Sequence, residues 1–175
     1  TDKFSLSYSL NYERGSVSRG FVDNIDNEVL YGQRRQKTIT NSISGTYNFN
    51  SFHGLSLTFR NYWSTVDYDY AMYTVLENGS MDNTTGHNLD NLGFDPNINF
   101  STWNLDFRYS WQFAPGSQLT ALYRNSLFNF DNMSRDRYFD SLGALLDQPI
   151  EHIFSLRLVY YMDYNNIKNV FRKRS

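Results

Sequence analysis

From Trp103 onward the chain places an apolar or aromatic residue at every second position. Trp103, Leu105, Phe107, Tyr109, Trp111 and Phe113 fall on one parity, and Asn104, Asp106, Arg108, Ser110 and Gln112 on the other. Side chains of a β-strand point alternately to opposite faces, so this run predicts a strand with one greasy and one wet face. Five further segments repeat it. Phe4, Leu6, Tyr8, Leu10 and Tyr12 alternate with Ser5, Ser7, Ser9 and Asn11. Ile39, Ile43, Tyr47 and Phe49 alternate with Thr40, Ser42, Ser44, Thr46 and Asn48, with Asn41 and Gly45 as imperfections on the apolar side. Leu55, Leu57, Phe59 and Trp63 face Ser56, Thr58, Arg60, Tyr62 and Ser64, in a strand with room to continue to Tyr70. Leu119, Ala121, Tyr123 and Leu127 face Thr120, Arg124 and Ser126. Last, Phe154, Leu156, Leu158, Tyr160, Met162 and Tyr164 face Ser155, Arg157, Val159, Tyr161 and Asp163.

Each segment reaches the ~9–11 tilted residues that cross a bilayer. The connections alternate as well. Asn50–Gly54 and Ala114–Ser117 are short, whereas the other three are long and rich in Asn, Asp and Gly. Tight turns on one side and long loops on the other are the habit of outer-membrane barrels. The expected fold is therefore all-β: an antiparallel, up-and-down transmembrane β-barrel over residues 1–164, followed by a basic periplasmic tail over 165–175. Pro96, Pro115 and Pro149 all fall in loops or turns, where a missing N–H breaks no ladder. Pairing Trp111 with Leu119 sets Asp106 opposite Arg124, while a shift by two sets Arg108 against Arg124, so the first register is expected. In the Asn50–Gly54 hairpin, pairing Phe49 with Leu55 would lay Phe59 over Gly45.

Six strands are too few to close a barrel of this type, which usually has eight or more. Either the long connections hide further hairpins, for instance through Glu28–Arg34 and Ala71–Leu76, or strands lie upstream. The abrupt start at a strand, with no signal peptide, favours the second: the chain reads as the C-terminal strands of a larger barrel. Asp136–Leu146 has apolar residues near helical spacing and is expected as a short helix in the last long connection, despite Gly143.

Two stretches carry a resemblance: INFSTWNLDFRYSWQFAPGSQLTALYRN (Ile98–Asn125) and FSLRLVYYMDYNN (Phe154–Asn166). Together they cover about a quarter of the chain. They resemble the C-terminal end of a large outer-membrane family from Bacteroidota-type bacteria, in which a carbohydrate-binding-like β-sandwich (family 9 type) precedes a barrel. That family has no settled function. The resemblance implies the last part of the barrel without the sandwich, and no catalytic residue to carry over. The chain departs from outer-membrane habit at its end, where eleven residues finishing in Arg172-Lys173-Arg174 follow Tyr164 instead of a terminal aromatic.

Composition narrows the function classes. Aromatics make up 18% of the 175 residues, yet mean hydropathy is -0.59, which suits strands that give only alternate residues to lipid. There is no cysteine, which removes disulfide frameworks and Cys-based metal or redox sites. A net charge of -2 offers no basic field for nucleic acid. No apolar run approaches the ~20 residues of a membrane helix.

The charged residues expected to face a lumen are Arg60, Asp106, Arg108, Arg124, Arg157 and Asp163. They suit either a cationic wall or, the plainer and favoured reading, mutual pairing that fills the interior. Trp63, Trp103, Phe107, Tyr109, Trp111, Phe113, Tyr160 and Tyr164 are expected to face lipid, many as interfacial girdles. A sugar-stacking platform would use a few aromatics on one face, not every strand. His53, His87 and His152 lie in no metal-binding spacing. His87 with Ser80, Asp82 and Asp90 is a weak hydrolase candidate, and Asn78–Asn99 lacks the regular spacing of a Ca²⁺ loop.

The expectation is thus a non-enzymatic protein of the bacterial outer membrane, without metal or cofactor. It would be channel- or transport-associated, or linked to surface glycan handling. A plugged anchor for a soluble domain is the alternative, and an outer-membrane hydrolase a more distant one. Its partners would be outer-membrane lipid, the barrel insertion machinery through Phe154–Tyr164, surface glycan and other envelope proteins.

Overall fold

In the computed structural model, which describes residues 3–25, 27–84 and 86–162, five of the six alternating segments are strand throughout and the sixth is strand only as far as Val159, with Tyr160–Met162 beyond its end. The order is β1 (Phe4–Arg14), β2 (Ser18–Ile25), β3 (Glu28–Asn50), β4 (His53–Val75), β5 (Met81–Asp82), β6 (Ile98–Ala114), β7 (Ser117–Asp131), α1 (Tyr138–Leu146) and β8 (Glu151–Val159). They form one antiparallel sheet in the order β1-β3-β4-β6-β7-β8. Each main strand pairs with the next across a connection that is short at one end, here called the lower, and long at the upper.

β1 and β2 lie end to end along β3, with Phe4–Arg14 opposite Tyr47–Lys37 and Ser18–Ile25 opposite Arg34–Glu28. The Gly15 N–H donates to the Gln36 carbonyl (2.9 Å) across the gap between them. A two-residue connection then returns the chain into β3, with Asn27 at φ 68, a left-handed value that asparagine tolerates well. The stretches named above as possible hidden hairpins therefore form strand: Glu28–Arg34 opens β3, and Ala71–Val75 ends β4. β5 adds a short pairing to β4.

Among the described residues β1 and β8 do not pair with each other, so the sheet is not closed into a barrel. Both edge strands are exposed along their whole length.

The register of β6 and β7 is the expected one, with Trp111 opposite Leu119 and Asp106 opposite Arg124. The β3–β4 hairpin departs from expectation by two residues. Tyr47, not Phe49, pairs with Leu55, and the ladder is irregular between Asn48 and Asn50. The cause is Asn50, whose Oδ1 accepts from the N–H groups of Phe52 (2.8 Å) and His53 (3.0 Å) and so fixes a tighter turn. Gly45 consequently faces Leu57 and lies under Leu6, and Phe59 pairs with Ile43.

A small core forms where β3 and β4 extend past the other strands. Leu30, Val66, Tyr68, Met72 and Leu92 are buried together, with Val22, Ile25, Leu89 and Ile98 packed around them. Leu89 and Leu92 come from the β5–β6 connection, which the Leu89 N–H ties to the Tyr70 carbonyl (3.0 Å). Gly32 is required here, because a Cβ at that position would collide with the buried Tyr68 ring.

Leu30 is fully buried in that cluster, so Leu30→Ala is expected to cost about 2–4 kcal/mol through lost transfer energy and a residual cavity. Gly32→Ala is expected to cost about 1–3 kcal/mol through overpacking. Denaturant unfolding followed by protease protection of the β2–β4 region checks both, and an unchanged midpoint for either would contradict the packing described.

Candidate functional site: the two faces of the sheet

Directly paired residues of an antiparallel sheet project to the same side. The pairings therefore assemble rows that run across the whole sheet. Leu6, Gly45, Leu57, Phe107, Tyr123 and Phe154 make one row, and Phe4, Tyr47, Leu55, Tyr109, Ala121 and Leu156 the row below it. Tyr8, Ile43, Phe59, Leu105, Asn125 and His152 make the row above. Among the described residues no second layer covers these rows: Phe107 is 41% exposed and Phe154 77%, and Trp111, in the row below them, 38%. An apolar groove of about 340 Å³ lies between Phe107, Tyr109, Ala121, Tyr123, Phe154 and Leu156. At the lower end Trp111 stacks on His53 (5.6 Å) and Phe113 on Tyr160 (6.2 Å).

The opposite parity is mainly polar on β1, β3, β4 and β6, while Leu122, Phe128 and Phe130 of β7 and Ile153 of β8 also fall on it. Ser7, Ser44, Thr58, Asp106 and Arg124 share a row, flanked by one with Ser9, Ser42, Arg60 and Asn104 and one with Ser5, Thr46, Ser56 and Arg108. Arg157 lies one row further down, opposite Thr120. Arg60, Asp106, Arg108, Arg124 and Arg157 thus occupy a single face, as alternation requires. The Arg124 guanidinium donates twice to Asp106, from Nε to Oδ1 (2.6 Å) and Nη2 to Oδ2 (2.9 Å). Among the described residues Arg60, Arg108 and Arg157 form no ion pair. A cleft of about 380 Å³ runs between Arg108 and Arg157, lined by Ser110, Gln118 and Thr120. Asp163 and Tyr164 lie outside the described residues.

Trp63 is the departure. It belongs to the apolar parity but is only 4% exposed, because α1 lies over it. The Tyr138 ring meets the Trp63 ring edge-on (5.7 Å), and Trp63 Nε1 donates to Asn99 Oδ1 (3.0 Å). Ser141 reaches the same Asn99, whose Nδ2 lies 3.0 Å from Ser141 Oγ. The Tyr138 hydroxyl donates to Asn61 Oδ1 (2.6 Å) and accepts from Asn41 Nδ2 (2.9 Å). Asn61 also donates to the Thr102 carbonyl (3.1 Å), and Tyr8 donates to Asn41 (3.0 Å).

Sequence reasoning placed the helix but not its seat. The signal was present in Asn41, Asn61, Asn99 and Ser101, polar residues that interrupt the apolar parity near one level of the sheet. Asn41 pairs with Asn61, and on β6 Ser101 and Asn99 lie one and two rows above the Trp103 that pairs with Asn61, so the polar patch spreads over three strands. Asn61, Asn99 and Ser101 are buried.

The residues weighed for hydrolysis are not assembled into one site. His87 Nε2 contacts Glu28 Oε2 (3.1 Å), Ser80 Oγ donates to Asn78 (2.7 Å), Asp82 accepts from Thr84, and Asp90 accepts from Tyr70 (3.0 Å). Among the described residues no group of three His, Cys, Asp or Glu side chains could hold a metal.

The architecture defines an all-β protein built on one amphipathic antiparallel sheet, whose two faces ask for different solvents. No described helix is long and apolar enough to cross a membrane. The chain belongs to the family described as domain of unknown function (DUF5916), whose model matches residues 1–171. That match spans nearly the whole chain, beyond the two stretches that carried the resemblance. No curated protein and no solved structure matches it.

Burial, together with the nearby Tyr8, holds the Tyr138 phenol above the ordinary tyrosine range, against the lowering effect of the Asn41 bond. The neutral form is favoured in the docked state, so docking is fully supported below the ordinary tyrosine pKa and weakens as pH rises through the raised one. Tyr138→Phe leaves Asn61 short of a partner and is expected to cost about 1–3 kcal/mol. Amide exchange across α1 should rise in that variant and in the parent at alkaline pH, with the pH effect reduced in the variant. Unchanged protection would contradict the seat described.

Proposed function

We propose that these strands form part of the wall of a bacterial outer-membrane β-barrel, with the apolar face against lipid and the arginine-bearing face toward the lumen. The observation that carries this reading is the apolar face that all six main strands share below the seat of α1, in rows whose large apolar residues are exposed on β1, β6 and β8. Its height fits. From Trp103 to Phe113 the chain makes ten steps of roughly 3.3 Å, which at a tilt of about 40° gives roughly 25 Å, the height of the apolar band on such barrels. Hydrocarbon cannot satisfy the unpaired backbone of an open edge, so strands beyond these residues complete the wall between β1 and β8. The resemblance of Ile98–Asn125 and Phe154–Asn166 to a barrel preceded by a carbohydrate-binding-like sandwich supports the same placement, and with it a link to surface glycan. The assembled protein is transport-associated, its lumen lined by Arg60, Arg108, Arg124 and Arg157, and it inserts through its C-terminal strand.

One observation favours a second reading, a plugged anchor for an attached domain. Val66 pairs with Ile98 on the parity of Arg60 and Asn104, and the β5–β6 connection packs over them with Leu89 and Leu92. In an assembled barrel that connection would narrow the upper mouth. Planar-bilayer recording separates the two: steady current is expected of a channel, and silence from correctly assembled protein would favour the anchor.

The membrane reading has its own test. Phe107→Arg places a charge on the lipid face and is expected to reduce the stability of the vesicle-inserted protein by about 2–4 kcal/mol, depending on depth. Ser44→Arg, on the wet face, should insert almost normally. Protease protection in vesicles measures both, and equal tolerance of the two substitutions would overturn the assignment of faces.

A further inference from the structure

The β7–β8 connection carries apolar side chains that the seat of α1 does not use. Phe139 is 78% exposed although its neighbour Tyr138 is docked, and Met133, Leu146 and Ile150 are exposed with it. A surface helix ordinarily turns such residues inward. Here the inward positions are taken by Ser141 and Leu145, which are buried, while Phe139 and Leu146 point away.

The seat says where this segment stands. Tyr138 bonds Asn41 and Asn61, Ser141 bonds Asn99, and all three asparagines lie on the parity of Trp103, Phe107 and Trp111. The helix is therefore on the apolar side of the sheet, at the upper limit of the exposed rows and continuous with them. Its flanks carry both signs of charge, Arg135 and Arg137 beside Asp136 and Asp140. Arg135 is itself largely exposed. Exposed aromatic and aliphatic residues mixed with charges of both signs suit the boundary between acyl chains and zwitterionic headgroups.

We infer that the β7–β8 connection is an interfacial anchor: α1 lies along the outer wall in the headgroup layer of the outer leaflet, with Phe139 and Leu146 reaching the first part of the acyl chains. This accounts for the polar patch beneath it. Asn41, Asn61, Asn99 and Ser101 would be poor lipid-facing residues, and the helix takes them out of contact with lipid while presenting apolar residues in their place. The inference rests on the membrane reading proposed above.

The 175 residues contain no cysteine, so a single engineered one reports a single place within them. Phe139→Cys and Phe107→Cys, each carrying an environment-sensitive fluorophore, are compared in the full chain inserted into phosphatidylcholine vesicles. The lipids carry bromine either near the headgroup or near the chain end. The Phe139 label should lose most of its emission to the shallow bromines and little to the deep ones, whereas the Phe107 label should be quenched by the deep ones. Quenching of the Phe107 label alone would overturn the anchor and leave the barrel standing. Quenching of neither would remove the barrel reading and the anchor with it. Both sites are exposed, so neither variant removes a core contact, and Leu146→Cys gives an independent second position on α1 with the same expected and contradicting results.

Discussion

The structure depends on keeping a period of two in step across five strand pairings. A strand alone can be amphipathic; a face exists only when its neighbours carry the same parity opposite it. A slip of one residue in any main ladder would turn one strand's apolar residues into the polar face and mix every row. The sheet avoids this by pairing Phe107 with Leu57 and Tyr123, and Asp106 with Thr58 and Arg124, along one stretch of chain. The Asp106–Arg124 bond works as a register marker on the wet side, where a shift by two would bring arginines together.

From that constraint follows the question of solvent. Transfer of one Leu or Phe side chain out of water is worth about 1.5–3 kcal/mol. The exposed face carries row upon row of them, and such a surface is far beyond the patches that soluble proteins leave in contact with water. Among the described residues no interior receives it either, since the compact apolar cluster around Leu30 and Met72 sits past the upper end of these rows. A face that is apolar, uncovered and regular is built for contact with something outside the described residues. Acyl chains meet that demand without needing any specific partner geometry.

Most of this architecture was legible because alternation is a local signal that the sheet amplifies. The strand from Trp103 to Phe113, its partner, their register and the helix in the last connection are all readable in the order of residues. What was not legible has physical reasons. β2 and the upper parts of β3 and β4 lose clean alternation through irregular pairing between Phe21 and Asp23 and between Gly32 and Arg34, and through burial by the β5–β6 connection. The β3–β4 register turned on one side chain, since Asn50 tightens the turn in a way that composition does not reveal. Trp63 looked like the other aromatics of its parity, and only the three-strand coincidence of Asn41, Asn61 and Asn99 marks it as lying under a helix. Closure of the sheet is not a local signal of this kind, and among the described residues the edge strands β1 and β8 do not pair.

The central claim is that lipid solvates one face of the sheet and water the other. Spin labels placed singly at each position from Leu105 to Trp111, in the full chain inserted into vesicles, test it most directly. Collision with dissolved oxygen, which concentrates in lipid, should peak at positions 105, 107, 109 and 111, and collision with a water-soluble nickel complex at 106, 108 and 110. If the odd positions are shielded from both reagents, a protein layer covers that face and the account fails.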